Sequence, residues 1–295
     1  MSTTLENKIE STIKDSFKFT VDMHRLYGPE NIRTPHFGLF RSDTGETVGR
    51  AVRQGYTPHT LEEVITMAKS AANAFDGDCD IRCGWHDGHF VSLAPSKDYR
   101  ISIYGEKDNI FPRMIIRAGF NGSPYAGTLG LYRDVCKNLE MIRSAGSAIH
   151  ARIPHTTSLH LRISDLNTAF TNAANSWNTV GDLCKKMESN EVNFAEFLRQ
   201  VYPLPEENVS KRTLTSHTKR IEKIFDRLRR ERVATNRDPI TKDNIVSGWE
   251  AFNAVQGYTL WDKSRKQKDL TPFKRAILAL GDPAVARAEQ LALAV

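Results

Sequence analysis

Four side chains able to bind zinc fall within eleven positions: Cys79, Cys83, His86 and His89. Their C-x3-C-x2-H-x2-H spacing lacks the dozen or more residues that separate the ligand pairs of common structural sites. Cys83 leads into Trp85 in a strand-like segment, and His86 opens an Asp-Gly turn. The favoured reading is therefore core cysteines on a strand, exposed turn histidines, and no metal or other cofactor. A zinc site is the alternative. A second series, His150, His155 and His160, recurs every five residues around Pro154. Neither a helix nor a strand brings such a series to one face, so turn-capping and packing suit it better than metal or acid–base work.

Gly45, Gly49 and Gly55, then Gly122, Gly127 and Gly130, invite a phosphate-binding reading. No Gly-Lys-Ser/Thr follows them, and no strand–GxGxxG–helix context surrounds them. The segment NGSPYAGTLG, residues 121–130, is expected to be a turn-rich loop. Carboxylates are abundant, but no pair sits where its two pKa values would be driven apart. HExxH, GxSxG and nuclease-like Asp/Glu/Lys sets are missing. The expectation is a protein that is not an enzyme.

Charge carries more information. The chain has 295 residues, 41 Lys and Arg against 35 Asp and Glu, and a net charge of +6. Residues 1–206 hold 23 basic and 24 acidic side chains, whereas residues 207–295 hold 18 and 11. Lys211 to Arg232 alone carries nine basic and three acidic residues, so the excess rides on one short segment. Leu214, Ile221, Ile224, Phe225 and Leu228 fall on one helical face of that segment. Lys211, Arg212, Lys219, Arg220, Lys223, Arg227, Arg229 and Arg230 are its candidate partner-binding residues. Three readings stand: a solvated helix packed on its own domain, a contact for an acidic protein or a second copy, or a tracker of nucleic-acid phosphates. Phe225 is its single aromatic and lies on the apolar side, which argues against a base-stacking platform.

Elements must position these groups. Leu5, Ile9, Ile13 and Phe17 recur every four residues and predict a first helix. Residues 27–38, with two prolines and two glycines, read as a loop. FGLFR, TVGRAV, DIRCGW, HFVSLA, YRISIYG and RMIIRAGF then read as strands, with turns at Ser42–Gly45 and His86–Gly88. A helix from Leu61 to Phe75 interrupts them, with Thr60, Glu62 and Glu63 at its start. Beyond Pro154 a seam of Ile163, Leu166, Phe170, Ala173, Trp177, Val180, Cys184 and Met187 steps by three and four. It fits an intrachain bundle, with an interchain coiled coil as the alternative. Ser164 or Asp165 would cap it. Helices are also expected at Val192–Val201, Asn244–Val255 and Thr271–Leu280, before an alanine-rich tail. The fold class is therefore α+β: a mainly antiparallel sheet domain over residues 1–157, then a helical domain or arm over 158–295 with the basic amphipathic helix.

Two blocks carry a resemblance. RSDTGETVGRAVRQGYTPHT, with Asp43-Thr44-Gly45, Val48-Gly49 and Gly55-Tyr56, resembles the opening of the phage- and plasmid-like proteins of domain-of-unknown-function family 932. Arg133, Cys136, Asn138, His155 and the seam from Ile163 are similar to the family's second block, although its usual glycine after the Asn is Leu139 here. The resemblance covers about residues 36–187, with the basic segment outside its best part. It implies a protein of phages, plasmids or genomic islands with no established catalytic residues. Length and mobile-element character are also similar to the Gabija anti-defence proteins. The resemblance thus implies a phage-encoded counter-defence protein that blocks a host defence protein complex without catalysis. The seam and basic segment would then supply homo-oligomer and target contacts. A single-stranded-DNA-binding or annealing recombination protein is the alternative. The amino terminus is polar and charged, and no apolar run reaches membrane-spanning length. The expected location is the host bacterial cytoplasm, with no membrane partner.

Overall fold

A computed structural model describes residues 3–75, 78–85, 87–96, 99–105, 107–120, 125–133, 139–140, 150–153, 168, 170–172, 174–204, 209–264, 275, 279 and 282–294. The fold is α+β, with antiparallel sheets in the amino-terminal and middle regions and helices toward the carboxyl terminus. The chain forms two compact units. The first comprises Met1–Tyr99, Pro112–Leu129 and Gly146–Ser176; the second comprises Arg100–Phe111, Gly130–Ala145 and Trp177–Val295.

In the first unit, α1 (Thr3–Ser16) buries Leu5, Ile9 and Ile13, with Phe17 just beyond its end. β1 (Val21–Tyr27) and β2 (Arg33–Arg41) follow as an antiparallel pair, and β3 (Val52–Arg53) adds to β2. β2 takes up much of the segment expected to be a loop. Its Pro35 faces the register shift between Arg25 and Tyr27, a bulge where a missing N–H costs no ladder bond. α2 (Leu61–Asn73) begins on a capping box: the Thr60 side chain accepts from the Glu63 N–H, and the Glu63 carboxylate accepts from the Thr60 N–H. α1 and α2 pack together, α1 on β4 (Cys79–Trp85) and α2 on β5 (Gly88–Pro95). The next strands are β6 (Ile101–Ile103), β7 (Asp108–Gly119), β8 (Tyr125–Arg133), β9 (Leu139–Glu140) and β10 (His150–Ile153). Within this unit the strand order is β10-β8-β7-β5-β4.

β8 corrects the loop expected over residues 121–130, because Tyr125 onward is strand, with Tyr125, Leu129 and Leu131 buried. Its glycines misled. A Cβ on Gly127 would lie 2.4 Å from the Phe170 ring, so the residue is bare to admit an aromatic onto the sheet, not to bend the chain. Gly122 lies outside the described residues.

In the second unit, β6 pairs the Asp108–Ile110 end of β7, and β9 pairs Leu131 and Tyr132 of β8. α3 (Trp177–Ser189) buries Trp177, Val180, Cys184 and Met187 within its own chain, as an intrachain bundle requires. Ile163, Ser164, Asp165, Leu166 and Ala173 lie outside the described residues. β11 (Glu191–Asn193) pairs β12 (Ile245–Ser247), and each leads straight into a helix, α4 (Phe194–Val201) and α6 (Gly248–Gly257). α5 (Lys211–Ala234) lies between them in sequence. The two stretches expected to be wholly helical thus open as strand, a pairing visible only once residues some fifty apart meet. α6 is buried at all its positions and is packed by α3, α5 and α7 (Pro283–Leu293). A Cβ on Gly248 would stand 2.7 Å from the Ala292 carbonyl oxygen, so this crossing needs glycine. Tyr258–Asp262 continues α6 as a π-helical turn. Of the expected Thr271–Leu280 helix, Arg275 and Ala279 are described, both helical.

Candidate functional site

The basic segment forms a helix as its apolar spacing predicts. Ser210 caps α5 by accepting from the Thr213 N–H. The apolar stripe is used unevenly. Ile224 and Leu228 are fully buried, Ile221 is half-buried, and Phe225 sets its ring edge-on to Phe194 at 4.8 Å. Leu214, one end of the same stripe, is 43% exposed. From Lys211 to Arg220 every residue is exposed except His217 and Arg220, which are half-buried. The His217 ring meets the Tyr202 carbonyl oxygen at 2.8 Å. The helix is therefore anchored by its second half, and its first half, about 15 Å long, is largely surrounded by solvent.

The eight candidate basic residues divide along the same line. Asp262, at the end of the π-helical turn, gathers three of them. Arg227 donates from Nε and Nη2 to its carboxylate at 3.1 and 2.6 Å, Arg230 lies 3.5 Å away, and Lys223 donates to its carbonyl oxygen. Arg229 pairs with Asp226 one turn earlier at 2.7 Å. Arg220 stands over the Tyr202 ring at 5.0 Å. Lys211, Arg212 and Lys219 are exposed and have no acidic partner among the described residues.

Below the charged surface lies a buried ionic network. Arg133 donates to Asp108 at 2.6 Å and to Glu231 of α5 at 3.2 Å, and the Trp249 indole N–H donates to the same Asp108 carboxylate at 2.9 Å. Asp108 is fully buried. One carboxylate thus ties β7, β8 and α6, and Arg133 extends the tie to α5. Arg133 is the residue that the family resemblance singles out, and its place is in the core of this unit. Cys136, Asn138, His155 and His160 lie outside the described residues. Arg232 and Arg237 share a second buried carboxylate, Glu250, with Arg232 at 2.9 Å and Arg237 at 3.6 Å. Arg237 also stacks on the Tyr104 ring at 3.8 Å.

The first unit holds a different cluster. His89 is not an exposed turn residue: it is buried on β5, opposite Trp85, and its Nδ1 meets the His59 Nε2 at 2.8 Å. Phe17, Trp85 and Phe120 enclose the pair, with His59 stacked on Phe120 at 3.9 Å. Arg41 covers the outer rings, 3.9 Å above Phe19. Burial pushes the His89 imidazole down to about 4, so His89 is neutral at neutral pH. Burial raises the Tyr125 hydroxyl beside Glu63 and the nearby Tyr56 hydroxyl. It also pushes the Cys79 thiol up to about 11 and the Cys83 thiol upward, so neither supplies a thiolate. The two cysteines stand four residues apart on an extended strand, about 13 Å, too far to share one ion. His86 lies outside the described residues. His59 was missed in the sequence, where nothing but its place before the Thr60 cap marks it.

Residues 50–284 match the model of a family described as "Domain of unknown function (DUF932)". The chain belongs to this family. No curated protein and no solved structure matches it. The DUF932 match reaches beyond the residues that suggested it: α5 lies wholly inside, as do Glu250 and Asp262. Asp43-Thr44-Gly45 and Val48-Gly49 precede the matched region, while Gly55-Tyr56, His59, His89 and Arg133 lie within it.

Proposed function

We propose that this DUF932 protein is a phage-encoded counter-defence protein that binds and blocks a host anti-phage immune complex by protein contact, without catalysis. Its contact element is the first half of α5, and it acts in the cytoplasm of the infected bacterium as a homo-oligomer. The observation that carries this reading is the exposure of Lys211–Arg220, a helical segment without one acidic residue whose half-buried members are His217 and Arg220, both set against Tyr202. Such a segment packs little on its own unit and fits an acidic protein surface. The wider setting, a mobile element acting against a Gabija-like complex, rests on the family resemblance alone.

The competing reading, a single-stranded-DNA-binding or annealing protein, is favoured by the same acid-free stretch. It is weakened by the largely buried Asp262 carboxylate, which holds Arg227 and lies 3.5 Å from Arg230. Lys211, Arg212 and Lys219, the candidate cations with no acidic partner among the described residues, would give a slope of log affinity against log salt of only about −2 on a single strand. The Tyr202 ring beside this stretch has a face taken by Arg220.

One experiment separates the readings. Wild-type protein and a variant with Lys211, Arg212 and Lys219 changed to Glu are expressed in a host carrying the defence operon, and phage plating and co-purification are measured. Restored plating and a co-purifying defence component for wild type only support the counter-defence reading. A wild type that neither restores plating nor retains a defence component sinks it. Binding of an oligonucleotide at low salt, lost in the variant, would select the DNA reading instead.

A further inference from the structure

The far end of α5 shapes an open groove of about 340 Å³, within the size range of ligand clefts. Val233, Pro239 and Ile240 form its aliphatic lining, which lies toward solvent, with Val233 79% exposed. Arg229, exposed, and Arg232 and Arg237, largely buried, line it as well, and none of the lining side chains is acidic.

The arginines are short of counter-charge. Arg232 and Arg237 divide the single carboxylate of Glu250, and the Arg237 Nη1 is buried with no hydrogen-bond partner among the described residues. Asp238, between Arg237 and Pro239 in sequence, accepts from Arg232 at its carbonyl oxygen. The partner of Arg229 is Asp226, and that pair is about 60% exposed on both sides, so an incoming carboxylate can replace it at little cost. Planar guanidinium groups beside exposed aliphatic side chains suit carboxylates that flank an apolar side chain. A nucleobase fits less well. Phe225, the one aromatic in the lining, is met by Phe194 at 4.8 Å and by Arg229 at 5.9 Å, so it offers no open stacking face.

We propose that this groove docks a short acidic peptide bearing one aliphatic side chain. The side chain lies on Val233 and Ile240, and its flanking carboxylates lie on Arg229 and Arg237. The site is distinct from the exposed first half of α5 and stands whether or not that half binds a defence complex.

The test is a selection from a random dodecapeptide display library on the full chain, with V233E and R229E run in parallel. Both positions are exposed, so neither change should impair folding. The expected result is enrichment of sequences in which Asp or Glu brackets Leu, Ile or Val. Synthetic copies should bind about tenfold more weakly to either variant. Their affinity should fall as salt rises and be unchanged by Lys211, Arg212 and Lys219 to Glu. Enrichment of neutral or basic sequences, no enrichment over V233E, or equal binding to all variants would overturn the proposal. So would loss of the peptide in the Lys211, Arg212 and Lys219 variant, or its displacement by an oligonucleotide.

Discussion

The two units bury polar chemistry in opposite ways. In the second, Asp108 and Arg133 are buried as an ion pair, with the Trp249 indole and Glu231 completing the network. In the first, His59 and His89 share one hydrogen bond and face aromatic rings, and no carboxylate meets His89 among the described residues. A buried ion pair is costly to desolvate and returns little net stability, but it accepts only one arrangement of the elements that bring it together. A neutral imidazole pair is cheap to bury and becomes costly when a proton arrives. The cluster of the second unit is thus pinned by charge, and the histidine cluster of the first is conditioned on its absence, although the first unit also buries Arg113 against the Ser92 hydroxyl.

Removing one ion should test the first half of that contrast most severely. Asp108→Ala leaves Arg133 charged and buried and should cost about 3–5 kcal/mol, read as a lower urea midpoint. Asp108→Asn, which can still accept from the Trp249 indole, should cost less. A loss under about 1 kcal/mol for the alanine variant would mean that the network is not what pins this unit.

Acid should test the second half. The folded pKa of His89 lies near 4, below its ordinary 6.5, so the unfolded chain binds the extra proton first. Stability from this group is complete above pH 6.5 and falls by about 1.4 kcal/mol per pH unit below it, to a total loss of roughly 3 kcal/mol near pH 4. Urea titrations between pH 7 and 4.5 should show that slope in wild type. In His89→Gln the slope should be shallower, whatever the variant's stability at pH 7. An unchanged slope would locate the acid sensitivity elsewhere.

How far the sequence reaches differs between the clusters for the same physical reason. The Thr60 cap, the α1 and α2 stripes and the length of α5 depend on neighbours within a few residues, so spacing reveals them. The histidine pair joins positions thirty apart, and Asp108 meets Trp249 across 141 residues. No local pattern encodes either. Arg133 was visible through resemblance to a family motif, but its burial and its partner were not. β8 was hidden by Gly127, whose bareness serves Phe170, a residue far along the chain. The basic helix was legible as a helix and as a charge excess. Its division into a tethered and a free half was not, because Asp262, which does the tethering, is 35 residues from Arg227.

That division supplies the intermediate case between buried pairing and full exposure. Arg227 and Asp262 are mostly buried, at 14% and 21% side-chain exposure. Arg227→Ala should cost about 1.5 kcal/mol, less than half the effect at Asp108, and little of it should be recovered by salt screening. A loss as large as that of Asp108→Ala would move Asp262 into the class of pinning carboxylates.

The exposed half of α5 is the limit where charge is not buried at all. Lys211, Arg212 and Lys219 touch no acidic group among the described residues, so changing each to Ala should alter stability by no more than about 0.5 kcal/mol. Leu214→Ala should be equally silent, whereas Leu228→Ala, on the same stripe but fully buried, should cost about 2–5 kcal/mol. Silence in folding is what makes these positions informative about binding. If the triple Glu variant melts with wild type yet loses its partner, the free half of the helix is retained for contact and not for architecture. If it melts early, that half is packed in solution, and the contact surface has to be sought at the arginine-lined groove instead.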